Sequence, residues 1–106
     1  MNDPYIRERF KNQELDRFNR ENCLLFDELG VMQGFSIVDL AVITPTYFQA
    51  FEIKSAEDTL TRLPNQIQKY NLVFDYISII VEEQHYFKAK NLIPPFWGIV
   101  IARRVR

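Results

Sequence analysis

Glycine is scarce in this 106-residue chain, with three residues at positions 30, 34 and 98. That excludes the GxxxxGK[ST] phosphate loop and the GxGxxG dinucleotide fingerprint, both of which need closely spaced glycines so that backbone can approach phosphate. The single cysteine, Cys23, excludes an internal disulfide and points to a reducing, cytoplasmic setting. The single histidine, His85, removes HExxH zinc sites and any His-rich metal cluster. Neither sign of charge dominates: 13 basic residues face 14 acidic ones for a net charge of -1. Such a balance argues against a mode in which bulk positive charge alone holds nucleic acid. No apolar run approaches the roughly 18–20 residues of a membrane span, so no membrane partner is expected. The polar N-terminal stretch MNDPYIRERFKNQ is not that of a secretory leader.

Apolar and aromatic side chains are abundant. The chain is 47% hydrophobic and 14% aromatic, with nine phenylalanines. This is a globular profile, and residues 1–106 read as one domain with a core that needs neither disulfide nor structural metal.

Asp3-Pro4 opens a helix with a capping residue and a proline at its first position, and Ile6 and Phe10 then share a face. The helix runs into the teens and ends in the polar stretch from Asn19 to Asn22. Cys23 to Leu29 reads as a strand, with Gly30 and Gly34 bracketing a turn. Phe35 to Ile43 is a second strand, Thr44-Pro45-Thr46 a turn, and Tyr47 to Lys54 a third strand. From Ser55 to Phe74 the pattern changes: Leu60, Leu63, Ile67, Tyr70 and Phe74 fall at helical spacing, with Pro64 kinking or restarting the helix. Tyr76 to Val81 is a buried strand, Glu82 to Asn91 a helix, and Phe96 to Ala102 a last strand. Three early strands with short links predict an antiparallel meander, and the helix-separated later strands predict parallel pairing. The expected fold is α/β, a mixed sheet flanked by helices.

Strands two and three carry an oddity. Asp39 interrupts one apolar strand, and Glu52 and Lys54 flank Ile53 in the next. Residues two apart on a strand share a face, so Glu52 and Lys54 are neighbours. If Thr44 to Tyr47 form a four-residue loop, Ile43 pairs with Phe48 and Ala41 with Ala50, and the ladder brings Asp39 opposite Glu52. Directly paired residues have Cβ atoms about 4.5–5.5 Å apart. Two carboxylates at about 5 Å repel by roughly 3 kcal/mol at an effective dielectric of about 20. A hard divalent cation, Mg2+ or Mn2+, relieves that repulsion. Lys54 beside such a cation makes sense if an anion such as phosphate completes the site.

Asp39 followed by Glu52-Ile53-Lys54 resembles the D…(D/E)xK motif of the PD-(D/E)xK, restriction-endonuclease-like nuclease superfamily. The αβββαβ core of that superfamily resembles the order read from Pro4 to Val81, with a helix and a strand added at the C-terminus. Gln66-Ile67-Gln68-Lys69-Tyr70 is similar to the QxxxY helix motif of some of its branches. Nearly end to end, the chain is similar to a group of short bacterial and phage proteins within the superfamily. The segments are Asp27-Glu28-Leu29-Gly30, Val38-Asp39-Leu40-Ala41-Val42, Phe51-Glu52-Ile53-Lys54-Ser55, Asp58-Thr59-Leu60, Arg62-Leu63-Pro64, Val73-Phe74-Asp75 and Phe96-Trp97-Gly98. Val38 stands where the superfamily's name puts proline, and Ile37 where a basic residue is expected.

The resemblance implies Mg2+- or Mn2+-dependent hydrolysis of phosphodiester bonds in nucleic acid, DNA favoured, by a chain that could act as a homodimer. It implies that Asp39 and Glu52 bind the metal, with the Ile53 carbonyl and Glu28 as further ligands. Lys54 would orient the attacking water and steady charge on phosphate, and Gln66 and Tyr70 would position substrate or Lys54.

Plainer readings stand beside these. Asp39 and Glu52 could form a solvent-facing strand surface, although apolar neighbours on both faces speak against it. Glu28 adjoins a turn, where an exposed acid is ordinary. Gln66 could be helix surface and Tyr70 a core aromatic. Asp58 and Arg62, four apart, read as a surface ion pair. His85 reads as a surface or capping residue, Trp97 as core and Cys23 as a small buried hydrophobe. Arg7, Arg9 and Lys11, like the Arg103-Arg104-Val105-Arg106 tail, could touch nucleic acid or simply solubilise. Retention of the fold as a non-catalytic module for nucleic acid or a protein partner is the competing function, and action on another phosphate ester a third.

Overall fold

The computed structural model describes residues 3–20, 22–32 and 36–103. Gly34, Phe35 and the tail Arg104-Val105-Arg106 lie outside the described residues, as does Glu21. The elements are α1 (Asp3–Arg20), β1 (Leu24–Val31), β2 (Ser36–Ile43), β3 (Phe48–Lys54), α2 (Leu63–Asn71), β4 (Tyr76–Glu82), α3 (Tyr86–Leu92) and β5 (Gly98–Ala102). A short 3-10 turn, Glu83–His85, leads into α3.

The strands form one sheet in the order β1-β2-β3-β4-β5. β1, β2 and β3 pair antiparallel, while β3–β4 and β4–β5 are parallel. The sheet is mixed and has helices on both faces, as the alternation of elements predicts. On one face α1 sets Ile6 and Phe10 against Leu40, Val42, Phe51, Ile53 and Ile80. On the other, α2 and α3 bury Leu63, Ile67, Tyr70 and Ala89 against Val38, Ala41, Ala50, Ile79 and Val81. Among the described residues no helix is long and apolar enough to cross a membrane.

The β2–β3 turn explains the register. Thr44 N–H donates to the Tyr47 carbonyl at 3.0 Å, and Thr44 Oγ1 accepts from the Tyr47 N–H at 3.0 Å. Ile43 therefore faces Phe48 and Ala41 faces Ala50, as the four-residue loop requires. At the start of the parallel ladder, Asp75 accepts from the Phe48 N–H at 2.8 Å and its own N–H donates to the Phe48 carbonyl at 2.9 Å. That clasp aligns β4 beside β3.

The expected helix from Ser55 to Phe74 is corrected to Leu63–Asn71. Pro64 sits in the first turn, where its missing N–H costs nothing, so it starts the helix rather than kinking it. Ahead of it, Asp58 Oδ2 accepts from Ser55 N–H at 2.8 Å and Ser55 Oγ–H at 3.1 Å, and Asp58 N–H returns to the Ser55 carbonyl at 3.0 Å. This local turn takes the backbone groups a helix would have used. It also replaces the expected Asp58–Arg62 ion pair, because these two residues share no helix. The helix expected over Glu82 to Asn91 divides into the 3-10 turn and α3, with His85 at the α3 N-cap. Cys23 is half-buried against the α1-side core.

Candidate active site

The site lies where the strand geometry breaks. Val38 packs in the core under α2, whereas Leu40, two residues on, packs under α1. In a regular strand both would share a face, so the chain turns over at Asp39. β1 has a matching irregularity: Asp27 faces Leu40 and Leu29 faces Val38, leaving Glu28 across from Asp39. Glu28 adopts φ 54, a left-handed conformation that costs a non-glycine residue about 1–3 kcal/mol. On the far side, the β2–β3 pairs end at Leu40↔Phe51, and the Asp39 carboxylate accepts the Ile53 N–H at 2.8 Å. Glu28, Asp39 and Glu52 thus form a row across three strands.

Glu52 is the buried end of that row, only 4% exposed. Its Oε1 accepts from the Tyr70 hydroxyl at 2.9 Å and its Oε2 from Gln66 Nε2 at 3.0 Å. Lys54 Nζ, itself buried, stands 3.5 Å from Oε2. Burial and then the charge of Asp39 push the Glu52 carboxyl from its ordinary 4.5 up to about 7, with Lys54 and the Tyr70 hydrogen bond opposing. Burial and the Glu52 charge push the Tyr70 phenol upward, so it keeps its proton and acts as a donor. Its hydroxyl also lies 3.2 Å from the Ile37 carbonyl. Asp39, Glu52, Lys54, Gln66 and Tyr70 therefore converge, with α2 meeting the site through Glu52 rather than through Lys54. The Ile53 side chain points into the α1-side core, consistent with its place between Glu52 and Lys54.

Arg7 is a participant that sequence reasoning left ambiguous. From α1, its guanidinium lies 3.5 Å from Asp27, 3.6 Å from Glu28 and 3.6 Å from Asp39. Lys11 reaches Asp27 at 2.5 Å. Glu28 extends outward, its side chain 67% exposed. Among the described residues no group of three His, Cys, Asp or Glu side chains is gathered to hold a metal ion. The two acids that do stand together, Asp39 and Glu52, offer the hard oxygen donors that suit Mg2+ or Mn2+. Gln66 Oε1 is buried without a hydrogen-bond partner among the described residues.

A cleft of about 440 Å3 opens over this row. It is acidic on one side, lined by Glu28, Asp39 and Glu52. One wall is the outer side of α2, with Arg62, Asn65 and Lys69, and Ile37 lines the cleft as well. Arg62 and Lys69 were missed by sequence reasoning, although their separation by seven residues, about two helical turns, was a signal for a shared face.

Residues 5–106 match the family described as Bacteriophage P4 protein cII, and the chain belongs to that family. No curated protein matches. The match corrects the resemblance to the PD-(D/E)xK superfamily, since the family found is not one of that superfamily's nuclease families. The reason is physical. A four-residue loop brings the Asp39 and Glu52 positions near each other whatever the ancestry of the chain, so the motif reports local geometry without reporting kinship.

Proposed function

We propose that this member of the phage P4 cII family hydrolyses phosphodiester bonds, with Mg2+ or Mn2+ held between Asp39 and Glu52. The observation that carries the reading is a pair of carboxylates at the floor of an open cleft, where burial and then the charge of Asp39 push Glu52 up to about 7. A site that destabilises its own charge in this way is suited to a cation. When bound, the cation supplies charge neutralisation at phosphate oxygens and lowers the pKa of water.

The chain's own residues then have defined tasks. The Asp39 carboxylate is held by the Ile53 N–H, and Tyr70 and Gln66 hold both oxygens of Glu52, so neither acid needs to reorganise. Lys54, on the same face as Glu52, does not line the cleft; its buried ammonium, 3.5 Å from Glu52 Oε2, balances the carboxylate that would hold the cation. Water attacks phosphorus and gives up a proton to solvent, the ester P–O bond breaks, and the departing oxygen takes a proton from solvent. DNA is the favoured substrate, and the lone Cys23 suits a reducing cytoplasm.

A second reading has one observation in its favour. Arg7 already lies between Asp27, Glu28 and Asp39, so an internal cation offsets part of the acidic row. On that reading the chain is a non-catalytic nucleic-acid-binding or protein-interaction module. Cleavage of plasmid, single-stranded and branched DNA and RNA with Mg2+ or Mn2+ separates the two. Asp39→Ala and Lys54→Ala are each expected to lower the rate at least about 100-fold, the scale of losing one preorganised charge. Activity that survives both changes would falsify the assignment, and binding without cleavage selects the module.

A further inference from the structure

The cleft has unlike walls. Arg62, the N-cap residue of α2, precedes Asn65 or Gln66 and Lys69 at i, i+3 or i+4, and i+7, and all of them line the cleft. Arg62 and Lys69 are seven residues apart, so their Cα atoms are about 10 Å apart along the axis. Ile37, 60% exposed, also lines the cleft and presents apolar surface. An acidic floor, a basic wall and an apolar patch match the parts of a nucleotide chain: cation-bridged phosphate, flanking phosphates and the face of an unpaired base.

We propose that the cleft takes a single-stranded nucleic-acid segment, with phosphates along Arg62 and Lys69 and a base against Ile37. The assignment rests on the hydrolytic reading of the same cleft, but it is tested separately because it concerns binding. A single strand fits better than a duplex. Stacking between neighbouring base pairs in a duplex would hide the base face that Ile37 contacts, and a chain of net charge -1 offers no broad basic surface for two strands. Two phosphate contacts also make a modest electrostatic contribution, since each single-strand contact contributes about 0.7 to the salt slope.

The test is anisotropy of a labelled 12-nucleotide thymidine or uridine strand, titrated in Ca2+ at several salt concentrations. Arg62→Ala with Lys69→Ala is expected to weaken binding at least tenfold and to reduce the slope of log K against log salt by about 1.4. Arg62→Lys with Lys69→Arg should retain the slope. Ile37→Ala should weaken binding a few-fold without altering the slope, because it removes no charge. The proposal is overturned if the double alanine variant binds with wild-type affinity and slope. It is likewise overturned if a 12-base-pair duplex binds more tightly than the single strand, or if the wild type binds neither. A wild type that binds with the stated salt slope but never cuts would leave this assignment standing and remove the hydrolytic one.

Discussion

Glu52 shows what a buried acid costs at neutral pH. Its folded value of about 7 lies above the ordinary 4.5, so the folded chain holds more protons than the unfolded chain between those limits. Stability is therefore greatest at the acid end of this window and falls as pH rises through it, by about 3 kcal/mol at one unit per 1.36 kcal/mol. Glu52→Gln keeps acceptor and donor atoms for Tyr70 and Gln66 but carries no charge. It should flatten the dependence and raise stability at pH 8 by about 1–3 kcal/mol, read from urea unfolding at several pH values. A variant as pH-dependent as the wild type would place the titration elsewhere. Asp39, Glu52 and Lys54 were legible as a group because a short turn dictates which side chains meet across a hairpin. Arg7 was not, because its meeting with Asp39 depends on how α1 lies across the sheet, and no local spacing encodes that angle.

The elements divide in the same way. β2 and β3 were legible because alternation and the Thr44–Tyr47 turn act over a few residues. The segment from Ser55 to Arg62 was misread because Leu60 and Leu63 mimic helical spacing, while the Ser55–Asp58 turn settles the backbone differently. That segment is also tied to β4, since Glu82 accepts from the Ala56 N–H and Gln84 donates to the Ala56 carbonyl at 3.1 Å. β5 depends on a close approach. Gly98 faces Ser78 across the parallel ladder, and a Cβ there would meet Ser78 Oγ at 2.5 Å and Ser78 Cβ at 3.3 Å. Gly98→Ala should cost about 1–3 kcal/mol, as overpacking typically does. Adding Ser78→Ala removes the nearer clash and should recover part of that loss. A double-mutant cycle by thermal unfolding checks this, and strict additivity would show that the two positions do not press on each other.

At the scale of the molecule, α1 on one face and α2 with α3 on the other were readable from the order of elements, since each helix needs a sheet face to bury its apolar stripe. Family membership was not, because the Asp39, Glu52 and Lys54 motif, the Gln66–Tyr70 pair and the short segments read along the chain constrain less than residues 5–106 taken together. The tertiary arrangement also links the β5 end of the sheet to the cleft. Trp97 lies parallel to Tyr70, with ring centroids 6.4 Å apart and planes within 8°, and its Nε1–H donates to Asn71 at 2.8 Å. The Tyr70 hydroxyl ends on Glu52. The chain's sole indole is therefore an optical reporter one aromatic ring removed from the carboxylate. Its emission should shift with a midpoint near pH 7 as Glu52 ionises, and again on addition of Mg2+. Tyr70→Phe, which preserves the stacked ring and deletes the link to Glu52, should silence both signals while the folded spectrum persists.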